Sequence, residues 1–286
     1  MNADAHPQTA PRGPGTGRYT LAVTSLWRDL PDLIGKSVLD ASAGHGNSTQ
    51  ALLDLGMQVT ATGYRQERPS RMPAAAEFIG GVDLNARWPF PDGSFDGIHM
   101  QEVIEHLENP AHAVRECARV LKPDGVLVLS TPNMLNAASR VRFLLSGFYQ
   151  GRKRPVSYAI PPSEGDNLYI PSLHLLHYLM AQSGMAIEKL GMAEVEVRTI
   201  LAGIAFFPFL FLGTALATTG IRRHDLLSPR DVSKASPESL DELHVAQLQV
   251  QRRLRRLMCS KEALFSRGLL LRARKTGRPP LEAGAQ

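Results

Sequence analysis

The chain has 286 residues, of which 43% are hydrophobic and 21% are charged, as in ordinary globular proteins. That length allows one large α/β domain, or one domain with an appendage. Its two cysteines, Cys117 and Cys259, lie far apart without metal-ligand spacing. This spacing excludes a disulfide framework and fits a reduced cytoplasmic compartment.

The net charge of +5 belongs to the last part of the chain, where residues 221–286 hold 14 Lys or Arg against 7 Asp or Glu. Such a basic stretch usually forms the solvated face of a helix. A nucleic-acid surface and an anionic membrane surface are the two other interpretations.

Strands and helices are predicted to alternate through the first half of the chain. Residues 1–18 are rich in Pro and Gly and are predicted to be a disordered tail. Helices are predicted over residues 19–34, 49–55, 102–107 and 110–121, and strands over 37–40, 57–62, 77–82, 95–100 and 126–130. This alternation indicates βαβ units, and hence a parallel sheet that binds its ligands at the carboxyl ends of the strands.

A turn of small residues joins the first of these strands to the next helix. Gly44 and Gly46 can adopt positive φ, and the absence of large side chains at 41–46 lets a ligand approach the backbone. Ser48 or Thr49 is predicted to cap the helix. No Lys follows the glycines, which excludes a phosphate-binding loop of the Walker type.

Five segments occur in a characteristic order between residues 36 and 132. They are Ser-Val-Leu-Asp-Ala-Ser-Ala-Gly-His-Gly (37–46), Val-Asp-Leu-Asn (82–85), Trp-Pro-Phe-Pro-Asp-Gly-Ser-Phe-Asp-Gly-Ile (88–98), Glu-Val-Ile-Glu-His-Leu (102–107) and Val-Leu-Lys-Pro-Asp-Gly-Val-Leu (120–127). Together they resemble the class I S-adenosylmethionine-dependent methyltransferases. The resemblance implies an α/β, Rossmann-like sheet of seven strands with helices on both faces. Residues 184–190 and 268–275 would be its sixth strand and its antiparallel seventh strand.

The resemblance also implies a binding site for S-adenosylmethionine. Five residues of the first turn would hold the methionine end of the cofactor: Asp40, Ser42, Ala43, Gly44 and Gly46. Gly63 and Tyr64 would lie at the ribose, Asp83 and Leu84 at the adenine, and Met100 and Gln101 at the sulfonium. The chemistry agrees, because an ammonium group favours a carboxylate and an adenine favours an apolar slot with a few hydrogen bonds.

Two positions depart from the family pattern. Ser42 replaces a usual glycine, and Gly63 occupies the place of the acidic residue that normally binds both ribose hydroxyls. The nearest acid, Glu67, lies four residues further on. The missing acid leaves open a second hypothesis, that the chain is a catalytically inactive methyltransferase-like protein that serves in binding or as a scaffold.

His106 is the predicted catalytic base, because transfer to a hydroxyl requires a proton acceptor near the end of the fourth strand. A purely structural role is its alternative. On a helix, Glu102, Glu105 and His106 would share one face. That face could bind a cation, as the similar ubiquinone-biosynthesis O-methyltransferases suggest, or it could be a solvated acidic surface. No metal is assigned.

The remaining divisions of the chain follow from composition and from the resemblance. Residues 19–132 would form the cofactor-binding core, 133–171 an aromatic and basic cap over the acceptor, and 172–192 with 263–276 the rest of the sheet. Residues 193–262 would form a hydrophobic and basic helical insertion at the C-terminal side.

Within that insertion, residues 199–220 carry no charge and approach the ~20 residues of a membrane-spanning helix. Pro208 and Gly213 interrupt the run, and Arg222 and Arg223 flank it. We therefore predict a broken element lying in the plane of the membrane or re-entering it, because a single span would separate the seventh strand from its sheet. A buried helical hairpin and a dimer interface are the alternatives.

These observations predict an S-adenosylmethionine-dependent methyltransferase that modifies an oxygen of a glycan, lipid-linked or other amphiphilic small-molecule acceptor. It would be cytoplasmic, with peripheral contact at the inner face of the membrane. No nucleic-acid partner is expected, because the chain lacks the Asn/Asp-Pro-Pro-aromatic signature typical of enzymes that methylate base amino groups.

Overall fold

The structure is a computed structural model that describes residues 16–30, 34–149, 169–217 and 237–277. Seven strands form one sheet in the order β3–β2–β1–β4–β5–β7–β6. They are β1 (Ser37–Asp40), β2 (Gln58–Thr62), β3 (Glu77–Ile79), β4 (Phe95–Gln101), β5 (Leu121–Pro132), β6 (Met185–Gly191) and β7 (Gly268–Lys275). The first five strands run parallel, and β7 is antiparallel to β5 and β6. The predicted seven-stranded sheet and its antiparallel last strand are confirmed.

Helices cover both faces of this sheet. They are α1 (Thr16–Arg28), α2 (Asn47–Leu53), α3 (Pro110–Val120), α4 (Ala137–Ser146), α5 (Leu173–Gln182), α6 (Val197–Ala217), α7 (Pro237–Met258) and α8 (Lys261–Phe265). Because α1 begins at Thr16, the last residues of the predicted tail are helical, and residues 1–15 lie outside the described ranges.

The helix predicted over 102–107 is wrong. Only a single 3₁₀ turn, Ile104–His106, forms there. Glu102 has φ of 52° and Leu107 is extended, so the backbone cannot continue a helix in either direction. The i, i+3 and i+4 face predicted for the two glutamates and His106 therefore does not exist.

Each face of the sheet has its own apolar core. On one face α1 packs closely, and a Cβ added at Gly97 of β4 would lie 2.5 Å from Cη2 of Trp27. Val23 and Leu26 join Trp27 in that core. On the other face, the side chains of α3 and α5 pack against β4 and β5 in a larger cluster. The central segment of β5 is fully buried, as expected for a strand covered on both sides.

Between β6 and β7 the described residues form three helices, α6 to α8. Helix α6 continues through Pro208 and Gly213 to Ala217, so the predicted interruption at those residues is wrong. By length and composition, its segment Val197–Leu216 could cross a membrane. Only 17% of an apolar 18-residue stretch of this segment is buried within the protein. Arg222 and Arg223 lie outside the described residues.

Candidate active site

The turn between β1 and α2 is built from residues in the left-handed backbone region. Ser42 has φ of 59°, Gly44 of 54° and Gly46 of 87°. The N–H groups of Ser42 and Ala43 donate to the hydroxyl and the carbonyl of Thr62, each at 2.9 Å, which fixes the turn against the end of β2.

The two glycines of this turn serve different purposes. A Cβ added at Gly44 would meet no atom within 4 Å, so its backbone is open to a ligand. A Cβ at Gly46 would lie 2.8 Å from Cδ of Pro73 and 3.0 Å from Cα of Met72. Gly46 is therefore required by packing, whereas the backbone at Gly44 is open to close approach, and its contact with the cofactor stays a prediction.

Asp40, at the end of β1, is 1% exposed. Its Oδ2 accepts hydrogen bonds from Ser48 Oγ at 2.8 Å and from Thr49 Oγ1 at 2.7 Å. Burial raises the pKa of the Asp40 carboxyl, and the nearby His99 ring and these hydroxyls oppose that rise. The carboxylate thus anchors α2, and its predicted contact with the cofactor stays a prediction.

The capping prediction for Ser48 or Thr49 is wrong. Helix α2 begins at Asn47, and Gly46 occupies the N-cap position without a side-chain hydrogen bond. Ser48 and Thr49 are the second and third residues of the helix, and both hydroxyls donate hydrogen bonds to the Asp40 carboxylate. Neither hydroxyl therefore caps the helix.

The end of β2 explains why this chain has glycine at position 63. A Cβ there would lie 2.9 Å from Cζ of Phe78, a β3 residue whose ring fills the space. The Gly63 N–H donates to the Ile79 carbonyl at 3.1 Å, and its carbonyl accepts from Val82 N–H at 3.0 Å. An acidic side chain at 63 would require Phe78 to move. The next residue, Tyr64, is 68% exposed.

The loop after β3 carries the residues predicted to lie at the adenine. Asp83 is exposed, and its Oδ1 accepts from the Asn85 N–H at 2.9 Å. Leu84 is 5% exposed, and its carbonyl accepts from Trp88 Nε1 at 3.3 Å. This loop follows the strand that is bonded to Gly63, so it lies at the same edge of the sheet. Contact of Asp83 and Leu84 with an adenine stays a prediction.

The residues predicted to lie at the sulfonium stand at the end of β4. Met100 packs in the apolar core, whereas Gln101 is half-buried. Gln101 Nε2 donates to Thr20 Oγ1 of α1 at 3.1 Å. Its Oε1 is buried and has no hydrogen-bond partner among the described residues, so it retains the capacity to accept from a ligand or a water.

Directly after β4, the half-buried Glu102 and the fully buried Glu105 form a pair whose arrangement the sequence did not predict. The Glu102 carboxylate accepts from the hydroxyl of Tyr19 and from Ser130 Oγ, the latter at 3.1 Å. Glu105 is 1% exposed, and its Oε2 has no partner within the described ranges. Thr131, also fully buried, lies beside it.

Burial raises the pKa of both carboxyls, and the charge of Glu102 raises that of Glu105 further. Like charges this close do not both ionise readily, so the pair holds a proton more tightly than two exposed glutamates. Tyr19 comes from α1, which is 83 residues away in sequence from its partner. No local sequence pattern around residues 102–107 could therefore have predicted the contact between Tyr19 and Glu102.

His106, the predicted base, is half-buried in the 3₁₀ turn, where its N–H donates to the Val103 carbonyl at 2.9 Å. Its role stays a prediction. In the described part of the chain, no group of three or more His, Cys, Asp or Glu side chains is arranged to hold a metal ion.

Strand register places the turn after β1 and the segment that carries the glutamate pair at neighbouring strand ends. Asp40 of β1 pairs with His99 of β4, and both strands run in the same direction. Their carboxyl ends therefore emerge side by side, with the open Gly44 backbone on one and the unpaired polar atoms of Gln101 and Glu105 on the other. A backbone cradle beside acceptor oxygens suits a cofactor such as S-adenosylmethionine.

Comparison with known proteins agrees with this geometry. A family model described as a methyltransferase domain matches residues 39–129. The chain is 32% identical over 131 residues to a "Probable S-adenosylmethionine-dependent methyltransferase" of Mycobacterium tuberculosis, across 46% of this chain and 44% of that protein. It is 36% identical over 116 residues to the ubiquinone biosynthesis O-methyltransferase of Xanthomonas oryzae, across 37% of this chain and 47% of that protein.

The chain thus spans less than half the length of these curated relatives. A solved structure of an S-adenosylmethionine-dependent methyltransferase from Archaeoglobus fulgidus is 15% identical, with a TM-score of 0.49 over 91% of this chain and 96% of that one. The residues that the family model matches include the turn after β1 and extend into β5. Residues 39–129 are therefore similar to a methyltransferase domain, and the sheet that contains them has the strand order expected for the class I S-adenosylmethionine-dependent methyltransferase fold.

Proposed function

We propose that this protein transfers a methyl group from S-adenosylmethionine to an oxygen of a glycan, lipid-linked or other amphiphilic small-molecule acceptor at the cytoplasmic face of a membrane. The observation that carries the proposal is the juxtaposition at the ends of β1 and β4. An open backbone turn ends one strand, and on the neighbouring strand end stands a pair of carboxyls in which Glu105 Oε2 has no partner among the described residues. The similarity to an O-methyltransferase supports oxygen as the acceptor atom.

When bound, S-adenosylmethionine supplies a methyl group on a sulfonium, which is attacked in line by the acceptor. The protein's contribution to such a transfer is mainly positioning and exclusion of water. The backbone at Gly44 would receive the methionine end, and Gln101 Oε1 would accept a hydrogen bond beside it. Asp83 and Leu84 would receive the adenine on the loop after β3.

An acceptor hydroxyl must lose its proton as the new bond to the methyl carbon forms. His106 remains the base that the sequence indicates. The Glu102–Glu105 pair is a second candidate, favoured by the unpaired Oε2 of Glu105 and by pKa values raised through burial. A carboxylate in such a pair takes up a proton more readily than an exposed one.

Titration calorimetry with S-adenosylmethionine tests the proposal most directly. We expect binding by the wild-type chain and loss of binding in Gly44→Val. Gly93→Val is the matched control, because Gly93 also has positive φ, of 65°, and no atom within 4 Å of an added Cβ, but lies away from this turn. Absence of wild-type binding at millimolar cofactor would contradict the enzyme and favour the inactive binding protein that Gly63 suggested.

Transfer of labelled methyl groups to lipid and glycan extracts then identifies the proton acceptor. Removing a general base typically lowers the rate by about 10²- to 10⁴-fold. A loss of that size in His106→Ala alone would identify the histidine, and a loss in Glu105→Gln alone would identify the carboxyl pair. Label recovered on nitrogen or carbon would contradict O-methylation, while leaving the methyltransferase assignment intact.

A further inference from the structure

Helix α6 contacts the rest of the protein through one narrow stripe. Thr199, Gly203 and Thr214 are buried and Leu210 is half-buried, a spacing of four, seven and four residues that places them on a single helix face. At Gly203 the approach is so close that an added Cβ would lie 2.3 Å from Cε1 of Phe265 in α8. The helix therefore lies against the domain along most of its length.

The opposite faces of α6 are apolar and exposed. Leu201 is 63% exposed, Ile204 70%, Phe209 73% and Leu216 67%. This reverses the usual pattern of a surface helix, whose apolar stripe faces the core. Here two threonines and a glycine face inward and the large apolar side chains face outward.

Helix α4 extends this surface. It packs beside α6, and Leu144 and Leu145 are 81% and 80% exposed. Phe148, just after the helix, is 40% exposed. We call the combined outer surface of the two helices the α4–α6 face. Contiguous apolar patches of this kind mark interaction sites on soluble domains.

A groove of ≈ 460 Å³ between the two helices combines apolar walls with positive charge. Val141, Leu145 and Phe148 are among its walls, and Arg142 and Arg198 lie in it. Within the described ranges, the Arg142 guanidinium has no ion pair, whereas Arg198 pairs with Glu196. The two helices themselves contain no Asp or Glu.

We propose that the α4–α6 face docks on a lipid bilayer that carries anionic headgroups, with α6 in the plane of the interface. The arginine guanidinium forms strong hydrogen bonds with phosphate groups. Here it lies beside apolar side chains whose transfer into the acyl region of a bilayer is favourable. This inference does not depend on methyl transfer, and it extends the membrane contact predicted for residues 199–220 to α4 and to the groove.

Two other occupants fit the surface less well. In a two-fold dimer the same patch meets itself, so Arg142 would face arginines with no carboxylate from either helix to neutralise them. A membrane-spanning α6 would have to leave the domain, although its inner stripe packs on the domain and the chain on either side returns to β6 and β7 of one sheet.

The location of the face relates it to the proposed site. Helix α4 begins at Ala137, shortly after β5 ends at Pro132, and thus rises from the carboxyl edge of the sheet. The Asn136 side chain fixes this junction by accepting from Ser139 N–H at 2.8 Å. A bilayer on the α4–α6 face would therefore lie next to the edge where the cofactor turn opens.

Sedimentation of the full chain with lipid vesicles tests the proposal. We expect binding to phosphatidylcholine vesicles that contain phosphatidylglycerol, weakened by added salt. The double variant Arg142→Gln/Arg198→Gln should bind these vesicles about 30-fold less tightly, as expected for two arginines at an anionic surface. Its binding to pure phosphatidylcholine should not change.

The double variant Leu145→Asp/Phe209→Asp should remain in the supernatant with both kinds of vesicle. Ile34→Asp is the matched control, because Ile34 is 85% exposed and lies at the opposite edge of the sheet, before β1. Thermal melts of all variants should match the wild type, since each altered apolar side chain is largely exposed.

Three results would overturn the proposal. The wild-type chain could fail to bind either vesicle, or Leu145→Asp/Phe209→Asp could bind as the wild type does. In the third, light scattering without lipid would find a wild-type dimer that this variant converts to a monomer. A second copy of the chain, and not lipid, would then cover the face.

Discussion

Charged and apolar side chains such as Asp40 and Leu129 are buried in the first half of the molecule, whereas those of the α4–α6 face lie at its surface. In the first half, Asp40 is buried and its carboxylate is held by two hydroxyls, and Leu129 is fully enclosed by the sheet. On the α4–α6 face, Arg142 has no ion pair among the described residues and Leu145 is 80% exposed. In the first half these groups are enclosed by the chain, and the oxygens of Gln101 and Glu105 that have no partner among the described residues lie at the proposed site. The α4–α6 face instead presents its apolar side chains to solvent.

The largest expected contrast is between two leucine truncations. Leu129→Ala should lower the free energy of unfolding by about 2–5 kcal/mol, because it leaves a cavity in the core. Leu145→Ala should change it by less than about 0.5 kcal/mol, because the side chain is already in solvent. Urea denaturation measures both. Similar losses would mean that the α4–α6 face is covered within the chain.

The next prediction compares the loss of stability at Gly44 and at Gly46, the two glycines of the turn after β1. Both have positive φ, so Gly44→Ala and Gly46→Ala share the cost of a left-handed alanine. Gly46→Ala should cost about 1–3 kcal/mol more, because its Cβ would press against Pro73 and Met72. Denaturation of the two variants in parallel gives the difference directly. An equal loss would show that the Pro73 loop moves aside at no cost.

The smallest effect concerns the buried glutamates and depends on pH. Burial raises the pKa of Glu105 in the folded state, so the folded chain binds the proton more tightly than the unfolded chain. The stability contributed by this proton is complete below the unfolded pKa and is lost as the pH rises through the folded pKa. That loss is at most about 1.4 kcal/mol per pH unit.

Glu105→Gln removes this dependence while keeping a side chain of similar shape. The melting temperature of the variant relative to the wild type should therefore rise as the pH increases above the range in which an ordinary glutamate titrates. Glu108→Gln, at an exposed position in the same loop, is the control and should show no such trend. A difference that is constant with pH would contradict a raised pKa.

Short-range patterns predicted most of the first half correctly. The apolar run of β1, the small residues of the turn and the alternation of strands and helices fixed the order of elements, because each depends on a few neighbouring residues. The resemblance added the antiparallel β7, which is confirmed over Gly268–Lys275. The membrane contact of α6 and the roles of the proposed cofactor residues remain predictions.

Contacts between separate elements of the fold explain what local patterns could not predict at two places in the chain. Ser48 and Thr49 were expected to cap α2, but the Asp40 carboxylate accepts from both hydroxyls. At position 63 the Phe78 ring lies where a side chain would begin, so an acid there would require the ring to move, and the loss of ribose binding stays a prediction. Neither contact has a signature in the neighbouring sequence, since each depends on how elements are placed by the sheet.

The sequence by itself determined the class of fold, the place of the small-residue turn after β1 and the apolar character of residues 199–217. Only the tertiary structure decided which side of α6 faces the domain, and that Tyr19 reaches the Glu102 carboxylate from α1. Periodicity records how often apolar residues occur along a helix, but not which of its faces another helix will cover. A strand-end carboxylate likewise acquires its protonation behaviour from the groups that the fold places around it.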